Sequence, residues 1–132
     1  MAHPLITALA GRQGFVYLAT PYTKYPSGHV AAYLAASRVA GELVNQNIRV
    51  FCPVAHSHPV AVHGGVDPAA YDIWTYQNAA FLDLAHTLVV AKLPSWKLSR
   101  GVDEEIEAFI QAGKPVILTN PELTECETLT SR

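Results

Sequence analysis

Glu104, Glu105 and Glu107 lie close together in the sequence, but their spacing gives them different positions. The apolar residues around them recur at helical intervals, at Val102, Ile106, Phe109 and Ile110. At about 100° per residue, Glu104 points away from this apolar face and Glu107 lies to its side. Glu105 lies at the border of the face in the first turn, where burial and nearby N–H donors shift its pKa in opposite directions. Glu105 is therefore the acidic residue of this helix that is best placed for a chemical role. An acidic residue in a first turn can also serve only to stabilise the helix dipole.

The loop before this helix is the second feature of interest. The apolar run Leu88–Ala91 predicts a buried strand, and the loop after it contains Trp96, Ser99 and Gly101. Such a loop lies at the carboxyl end of a strand and the amino end of a helix, which is where open α/β sheets bind ligands. The free N–H groups and partial positive charge of the helix terminus favour an anion such as phosphate.

His56, His58 and His63 form a third candidate group, in a predicted loop from Ala55 to Pro68. A His-x-His pair binds zinc when further ligands converge on it. The segment has no HExxH or CxxC motif and no acidic residue within the histidine pattern. We therefore expect no metal and predict that His56 and His58 contact the substrate or order the loop. A metal-dependent hydrolase that uses all three histidines stays an alternative.

The composition excludes several classes of protein. The chain has 132 residues, of which 50% are hydrophobic and 15% charged, which is enough for one domain with a sizeable core. A net charge of −2 gives no reason to expect nucleic-acid binding. No apolar run approaches the ~20 residues of a membrane helix, and residues 1–13 lack the pattern of a signal peptide. Because Cys52 and Cys126 are far apart in sequence, we expect a reduced, cytoplasmic protein.

Strands and helices alternate along the chain. The predicted strands are Phe15–Ala19, Ile48–Val54, Thr87–Lys92 and Val116–Thr119, and the predicted helices are His29–Asn45, Ala69–Leu84 and one from Val102 to a stop at Gln111–Pro115. Residues 1–13 are expected to be an irregular lead and residues 121–132 a surface tail or short final helix. This order predicts a single α/β domain with a doubly wound, flavodoxin- or Rossmann-like parallel sheet of four to five strands flanked by helices.

Parallel strands bring the loops that follow them to one edge of the sheet. At this edge we expect seven residues to converge, namely Tyr17, Thr20, Tyr22, His56, His58, Ser99 and Glu105. The glycine motifs of dinucleotide-binding domains, P-loops and hydrolase nucleophile elbows are absent. A carboxylate beside tyrosines, histidines and a helix terminus suits chemistry at an acetal carbon, where it acts as a nucleophile or stabilises an oxocarbenium ion.

Four short motifs, in this order and at this spacing, resemble the nucleoside 2-deoxyribosyltransferase-like superfamily. They are VYLATPY at 16–22, the Phe81-Leu82 pair before Leu88-Val89-Val90, SxGVxxEI at 99–106 and GKPV at 113–116. The resemblance covers Phe15 to Val116 and extends to 2'-deoxynucleoside 5'-phosphate N-hydrolases and small bacterial relatives. It implies cleavage or transfer at the N-glycosidic bond of a nucleoside or nucleoside 5'-monophosphate, with no cofactor.

The resemblance also implies roles for individual residues. Glu105 matches the glutamate that attacks the anomeric carbon and forms a glycosyl-enzyme intermediate. Ser99 matches a serine that contacts sugar or phosphate in the nucleotide hydrolases, and with Gly101 and the helix terminus it would favour a 5'-phosphate. Tyr17 and Tyr22 lie in the region that lines the sugar pocket.

Asn78 departs from the superfamily pattern, because this position usually carries an aspartate that handles the proton on the leaving base. An asparagine can hold a base by hydrogen bonds, but it cannot donate a proton as a carboxylic acid. Either another group, such as Asp72, Asp83 or a histidine, replaces it in catalysis, or the substrate leaves without a general acid. A third hypothesis is that the chain binds nucleotides or sugar phosphates without cleaving them.

The loop Leu93–Leu98 is a second departure, and its Trp96 would either stack on a base or serve in packing or a contact with another subunit. The superfamily commonly forms symmetric oligomers, which implies a dimer or tetramer whose neighbouring chain completes the pocket. The expected partners are therefore a small-molecule nucleoside or nucleotide and further copies of this chain, without nucleic acid or membrane.

Overall fold

A five-stranded sheet forms the centre of the computed structural model, which describes residues 1–131. In chain order its strands are β1 (Val16–Ala19), β2 (Val50–Phe51), β3 (Thr87–Ala91), β4 (Val116–Thr119) and β5 (Cys126–Leu129). Their spatial order is β2-β1-β3-β4-β5, with β1 to β4 parallel and β5 antiparallel to β4. The predicted doubly wound α/β fold is confirmed. β2 lies on one side of β1, and β3, the next strand in the chain, lies on the other side. The strand order thus reverses at β1, and a ligand crevice is expected beyond the carboxyl end of that strand.

Helices cover both faces of the sheet. They are α1 (Pro4–Thr7), α2 (His29–Asn45), α3 (Pro53–Gly64), α4 (Tyr71–Leu84) and α5 (Arg100–Gln111). Because side chains alternate along a strand, Leu18 packs into the core that faces α1, α2 and α3, whereas Tyr17 and Ala19 pack into the core that faces α5. No helix within residues 1–131 is long and apolar enough to cross a membrane.

The sequence fully explains α5. The hydroxyl oxygen of Ser99 caps its first turn by accepting a hydrogen bond from the backbone N–H of Val102 at 3.2 Å. Val102, Ile106 and Phe109 are buried, as their spacing predicts. The helix gives way to a turn at Gly113, whose φ of +69° lies in the left-handed region.

The predicted histidine loop is wrong, because residues 53–64 form the helix α3. Pro53, inside the predicted strand Ile48–Val54, instead occupies the first turn of this helix, where its missing N–H costs nothing. Pro59 lies inside the helix, where a proline is usually unfavourable, but packing against α2 buries neighbouring residues and holds the helix together. Because α3 begins at Pro53, the second strand is shorter than predicted and is limited to β2.

Three further boundaries differ from the prediction. The lead is not irregular throughout, because α1 forms within it and buries Ile6 completely. The predicted surface tail contains β5, whose backbone pairs with β4 and so satisfies the donors and acceptors of an otherwise open edge. The helix predicted from Ala69 begins at Tyr71, because the Asp67 side chain instead caps a turn by accepting from the N–H of Ala69 at 2.9 Å.

Candidate functional site

A cavity of about 600 Å³ opens where the crevice is expected, beyond the carboxyl ends of β1 and β3. This volume lies within the usual range of small-molecule sites. Four segments surround it: the loop after β1, the start of α3, one face of α4 and the first turn of α5. Seven of the ten residues predicted for the site line it, namely Tyr17, Thr20, Tyr22, Asn78, Ser99, Gly101 and Glu105.

Glu105 reaches the cavity from the first turn of α5, and Tyr17 holds its carboxylate from β1. The Tyr17 hydroxyl donates a hydrogen bond to Oε2 of Glu105 at 2.5 Å. Burial among protein atoms raises the pKa of Glu105 to about 7, although the hydrogen bond from Tyr17 lowers it. The side chain keeps partial access to the cavity. Glu105 is thus a carboxylate that changes its charge near neutral pH and lies within reach of a bound molecule.

Tyr17 is fixed for this contact by the core of the sheet. Its ring is completely buried and packs at 5.7 Å from the ring of Phe51 and at 6.3 Å from that of Phe109. Burial first, and the adjacent Glu105 second, raise the pKa of Tyr17 far above its usual range. The phenol therefore keeps its proton and acts as a permanent donor to Glu105.

Ser99 caps α5 with its hydroxyl oxygen and can still donate a hydrogen bond. Its oxygen accepts from Val102 N–H, and its own O–H proton can still be donated into the cavity. Gly101 lies beside it in the first turn of α5, where a Cβ would meet Ser99 Oγ at 3.9 Å, an ordinary contact. The amino terminus of α5 therefore lies at the cavity, with a serine hydroxyl at its cap. Binding of an anion there stays a prediction.

One face of α4 forms the opposite side of the cavity. Tyr71, Trp74, Asn78 and Leu82 follow each other at helical spacing, and all four line it. The Trp74 indole N–H donates to the backbone oxygen of Asp67 at 3.0 Å, which leaves its ring for packing. The side-chain amide of Asn78 has a donor and an acceptor on this surface. Aromatic rings and one amide suit a planar, polar-edged group such as a nucleobase.

Two cations at the cavity were not predicted from the sequence. Lys24 comes from the loop after β1, and Arg100 from the first residue of α5. The Arg100 guanidinium lies 3.9 Å from the centre of the Tyr71 ring and pairs with Glu104 at 3.1 Å. A sequence signal existed, because Arg100 stands between Ser99 and Gly101 in the predicted anion-binding turn. The tertiary structure alone brings Lys24 to the same cavity.

Thr20 offers a buried hydroxyl to the cavity. Its residue is 6% exposed, and its oxygen has no hydrogen-bond partner of good geometry in the structure, although the Cys52 thiol interacts with it weakly. Burial raises the pKa of that thiol to about 11, so Cys52 stays protonated. A buried hydroxyl without a strong partner is costly, and a ligand that fills the cavity can provide one.

Residues 14–120 match a domain of unknown function, DUF1937. The chain belongs to this family. The matched region includes the whole cavity, from Tyr17 to Glu105, and leaves out only α1, β5 and the chain ends. A comparison with curated proteins gives no match.

Three predicted site residues of this DUF1937 domain lie outside the cavity. His56 is exposed on α3 beside Phe51, with ring centres 5.9 Å apart. His58 is buried behind Tyr22 and bonds to its hydroxyl. Trp96 lines a separate groove on the other side of α5. The sequence places these residues near the correct edge of the sheet, but not on the surface that faces the cavity.

The acids proposed to replace Asn78 also lie elsewhere. Asp72 and Asp83 are exposed on α4 and do not line the cavity, and neither does any histidine of residues 1–131. Apart from Glu105, Glu104 is the carboxylate at the cavity, where Arg100 binds it.

The histidines of α3 do not assemble a metal centre. Across the described part of the chain, no group of three or more histidine, cysteine, aspartate or glutamate side chains has the arrangement to hold an ion. In α3, His58 instead bonds to Tyr22. This arrangement gives no support to the metal-dependent hydrolase.

Proposed function

We propose that this DUF1937 domain cleaves or transfers the N-glycosidic bond of a nucleoside or nucleoside 5'-monophosphate, with Glu105 as the nucleophile. The observation that carries the proposal is the Tyr17–Glu105 pair at the end of a ligand-sized cavity. A nucleophilic carboxylate must be ionised and held in place, and a buried donor on one of its oxygens leaves the other for the anomeric carbon. The reaction needs no cofactor.

The rest of the cavity fits the other parts of such a substrate. The terminus of α5, with Ser99, Arg100 and Gly101, suits a 5'-phosphate, and Lys24 adds a second cation to the same cavity. The α4 surface suits a base. We infer on these grounds that DUF1937 is related to the nucleoside 2-deoxyribosyltransferase-like superfamily.

Departure of the base is the step for which the cavity is least equipped. Asn78 lies on the base side and can hydrogen-bond the leaving base, but it cannot protonate it. Because Glu105 would react as the ionised nucleophile, the proton for the leaving base would have to come from solvent or from Glu104. We therefore propose slow turnover, with a preference for bases that leave readily without protonation.

A binding module for nucleotides or sugar phosphates is the second candidate. Asn78 favours it, since a missing general acid costs on the order of 10²–10⁴-fold in rate. It would use the same cavity and the same contacts to base and phosphate as the proposed enzyme, but it would not cleave the N-glycosidic bond.

One assay separates the two candidates. Purified protein is incubated with deoxy- and ribonucleosides and their 5'-monophosphates, and free base is measured by chromatography. Base release by the wild type, lost in Glu105→Gln, supports the enzyme. Ligand-dependent rises in melting temperature without base release support the binding module. Neither release nor a thermal shift for any nucleoside or nucleotide would contradict both.

We also propose that a second copy of the chain covers the outer face of α4. None of its residues is buried, and its outer side exposes 51% of Ile73, 80% of Tyr76 and 75% of Leu84. Tyr76 alone can bury on the order of 150 Å², and a contact between two copies would remove this apolar surface from water. These three side chains are uncharged, so two copies can pack α4 on α4 about a two-fold axis with Asp72 and Asp83 left at the edge of the contact.

A further inference from the structure

Four aromatic side chains form a connected group directly behind the cavity. Tyr22 lines the cavity, and its ring lies on the ring of His29, with centres 4.3 Å apart and planes 12° from parallel. Its hydroxyl lies 2.6 Å from Nδ1 of His58. The His58 ring in turn stacks on Tyr33, with centres 4.5 Å apart. His58 is 8% exposed, so this group links the cavity to a buried titratable side chain.

We propose that His58 is a positioning residue that sets the direction of the Tyr22 hydrogen bond, and thereby decides which ligand groups Tyr22 can bind. The proposal rests on the proposed function only for the nature of the ligand. When His58 is neutral, a phenol O–H is a better donor than an imidazole N–H, and an imidazole nitrogen is a better acceptor than a phenol oxygen. Tyr22 then donates to Nδ1, and its oxygen offers only lone pairs to the cavity.

Protonation of His58 reverses this bond. Both imidazole nitrogens are then donors, so Nδ1–H donates to the Tyr22 oxygen and the phenol O–H turns elsewhere. At neutral pH, Tyr22 would accept a hydrogen bond from a ligand hydroxyl such as that of a sugar. In acid it would present a donor instead, so a sugar hydroxyl would have to turn and accept from Tyr22, and its own proton would lose its acceptor.

The surroundings of His58 favour the neutral form at neutral pH. Burial lowers its pKa, and the facing charges of His29 from α2 and His63 from α3 lower it further. Tyr33 covers the other side of its ring without contributing charge. Burial also raises the pKa of Tyr22, so this phenol keeps the proton that it donates.

Nitrogen-15 NMR of the imidazole rings tests the direction of the bond without any ligand. An unprotonated Nδ1 on His58 at about pH 8, which gains a proton only when the pH is lowered below the usual imidazole range, is the expected result. A protonated Nδ1 at the higher pH would overturn the proposal. His58→Asn identifies the resonance, and His56→Asn, on the exposed side of the same helix, leaves it in place.

Binding of 2-deoxyribose, which does not titrate in this range, tests the consequence. Calorimetry is carried out in a Glu105→Gln background, because Glu105 itself titrates near pH 7. Affinity is expected to fall by about threefold, less than a full hydrogen bond, as His58 becomes protonated, because the sugar hydroxyl loses an acceptor for its proton while its oxygen gains a donor. Adding His58→Asn, whose amide oxygen replaces Nδ1 without titrating, should remove most of this pH dependence, and Tyr22→Phe should give weak binding throughout.

The outcomes separate this proposal from the proposed function. A pH dependence that persists with His58→Asn overturns the role of His58, even if the sugar binds well. No binding of 2-deoxyribose at any pH contradicts the sugar-binding function and with it the ligand preference assigned to Tyr22. In that case the NMR result still decides the direction of the Tyr22–His58 bond.

Discussion

Helices α5 and α4 face each other across the cavity, and they are built in opposite ways. α5 buries Val102, Ile106 and Phe109 against the sheet and is capped by Ser99. α4 has a similar length but buries none of its residues and has no side-chain cap. The helix that carries the proposed nucleophile is therefore anchored in the core, whereas the helix proposed to face the base is held at the surface. If the proposed function is correct, the nucleophile lies on the more firmly packed of the two helices.

The largest expected effect of this difference is on chemistry. Glu105→Gln keeps the volume and the contact with Tyr17 but removes the nucleophile, so base release should fall at least about 10³-fold. Glu107→Gln is the matched control, because Glu107 is exposed on the same helix and bonds only to Gln111 in the structure. Equal rates for Glu105→Gln and the wild type would refute a catalytic α5.

Truncating a side chain should also destabilise the fold more in α5 than in α4. Phe109→Ala removes a ring that is 1% exposed and should lower the free energy of unfolding by about 3–5 kcal/mol in urea titrations. Trp74→Ala on α4 should cost clearly less, since Trp74 is only partly buried. A larger loss for Trp74→Ala would show that α4 belongs to the core.

Asn78→Asp tests whether α4 lacks a catalytic group. A carboxyl group at this position could protonate the leaving base, so base release should rise about 10- to 100-fold, most clearly below neutral pH. Gln77→Glu adds a carboxyl group to the exposed side of the same helix and should leave the rate unchanged. If Asn78→Asp is no faster than the wild type, the missing acid is not what limits turnover.

The raised pKa of Glu105 has a consequence for stability. The folded protein holds this proton up to about pH 7, whereas the unfolded chain releases it near pH 4.5. Stability is therefore lost as the pH rises from about 4.5 through about 7, because ionising a buried carboxyl group is unfavourable. Glu105→Gln should be more stable than the wild type at about pH 8, by on the order of 2 kcal/mol, and the gap should close in acid. A gap of the same size at both pH values would contradict this account.

The smallest effect on the isolated fold is expected on the outer face of α4. Tyr76→Ser should change the free energy of unfolding of a single chain by less than about 0.5 kcal/mol. Light scattering should nevertheless show a lower mass than for the wild type, because the proposed contact between two copies is weakened. A wild type that is monomeric at all concentrations would rule out this contact.

The sequence predicted α5 and its surroundings closely because that part of the site is local. Ser99, Glu105 and Phe109 lie within about three turns of one helix, and helical geometry alone separates Glu105 from its acidic neighbours. The prediction was wrong for α3, where prolines and histidines indicated a loop and packing against α2 stabilises a helix. It also missed β5, because a short polar edge strand has no hydrophobic pattern and takes its stability from pairing with β4.

The sequence by itself determined the α/β alternation, the strands at the core of the sheet and the identity of the carboxylate at the helix border. These features depend on hydrophobic periodicity and caps, which act within a few residues. The tertiary structure decided which distant side chains meet: Tyr17 with Glu105 over 88 positions and Tyr22 with His58 over 36. It also showed that His56 faces away from the cavity and that Lys24 faces it. Such contacts depend on how strands and helices pack around the sheet, and no local pattern specifies that packing.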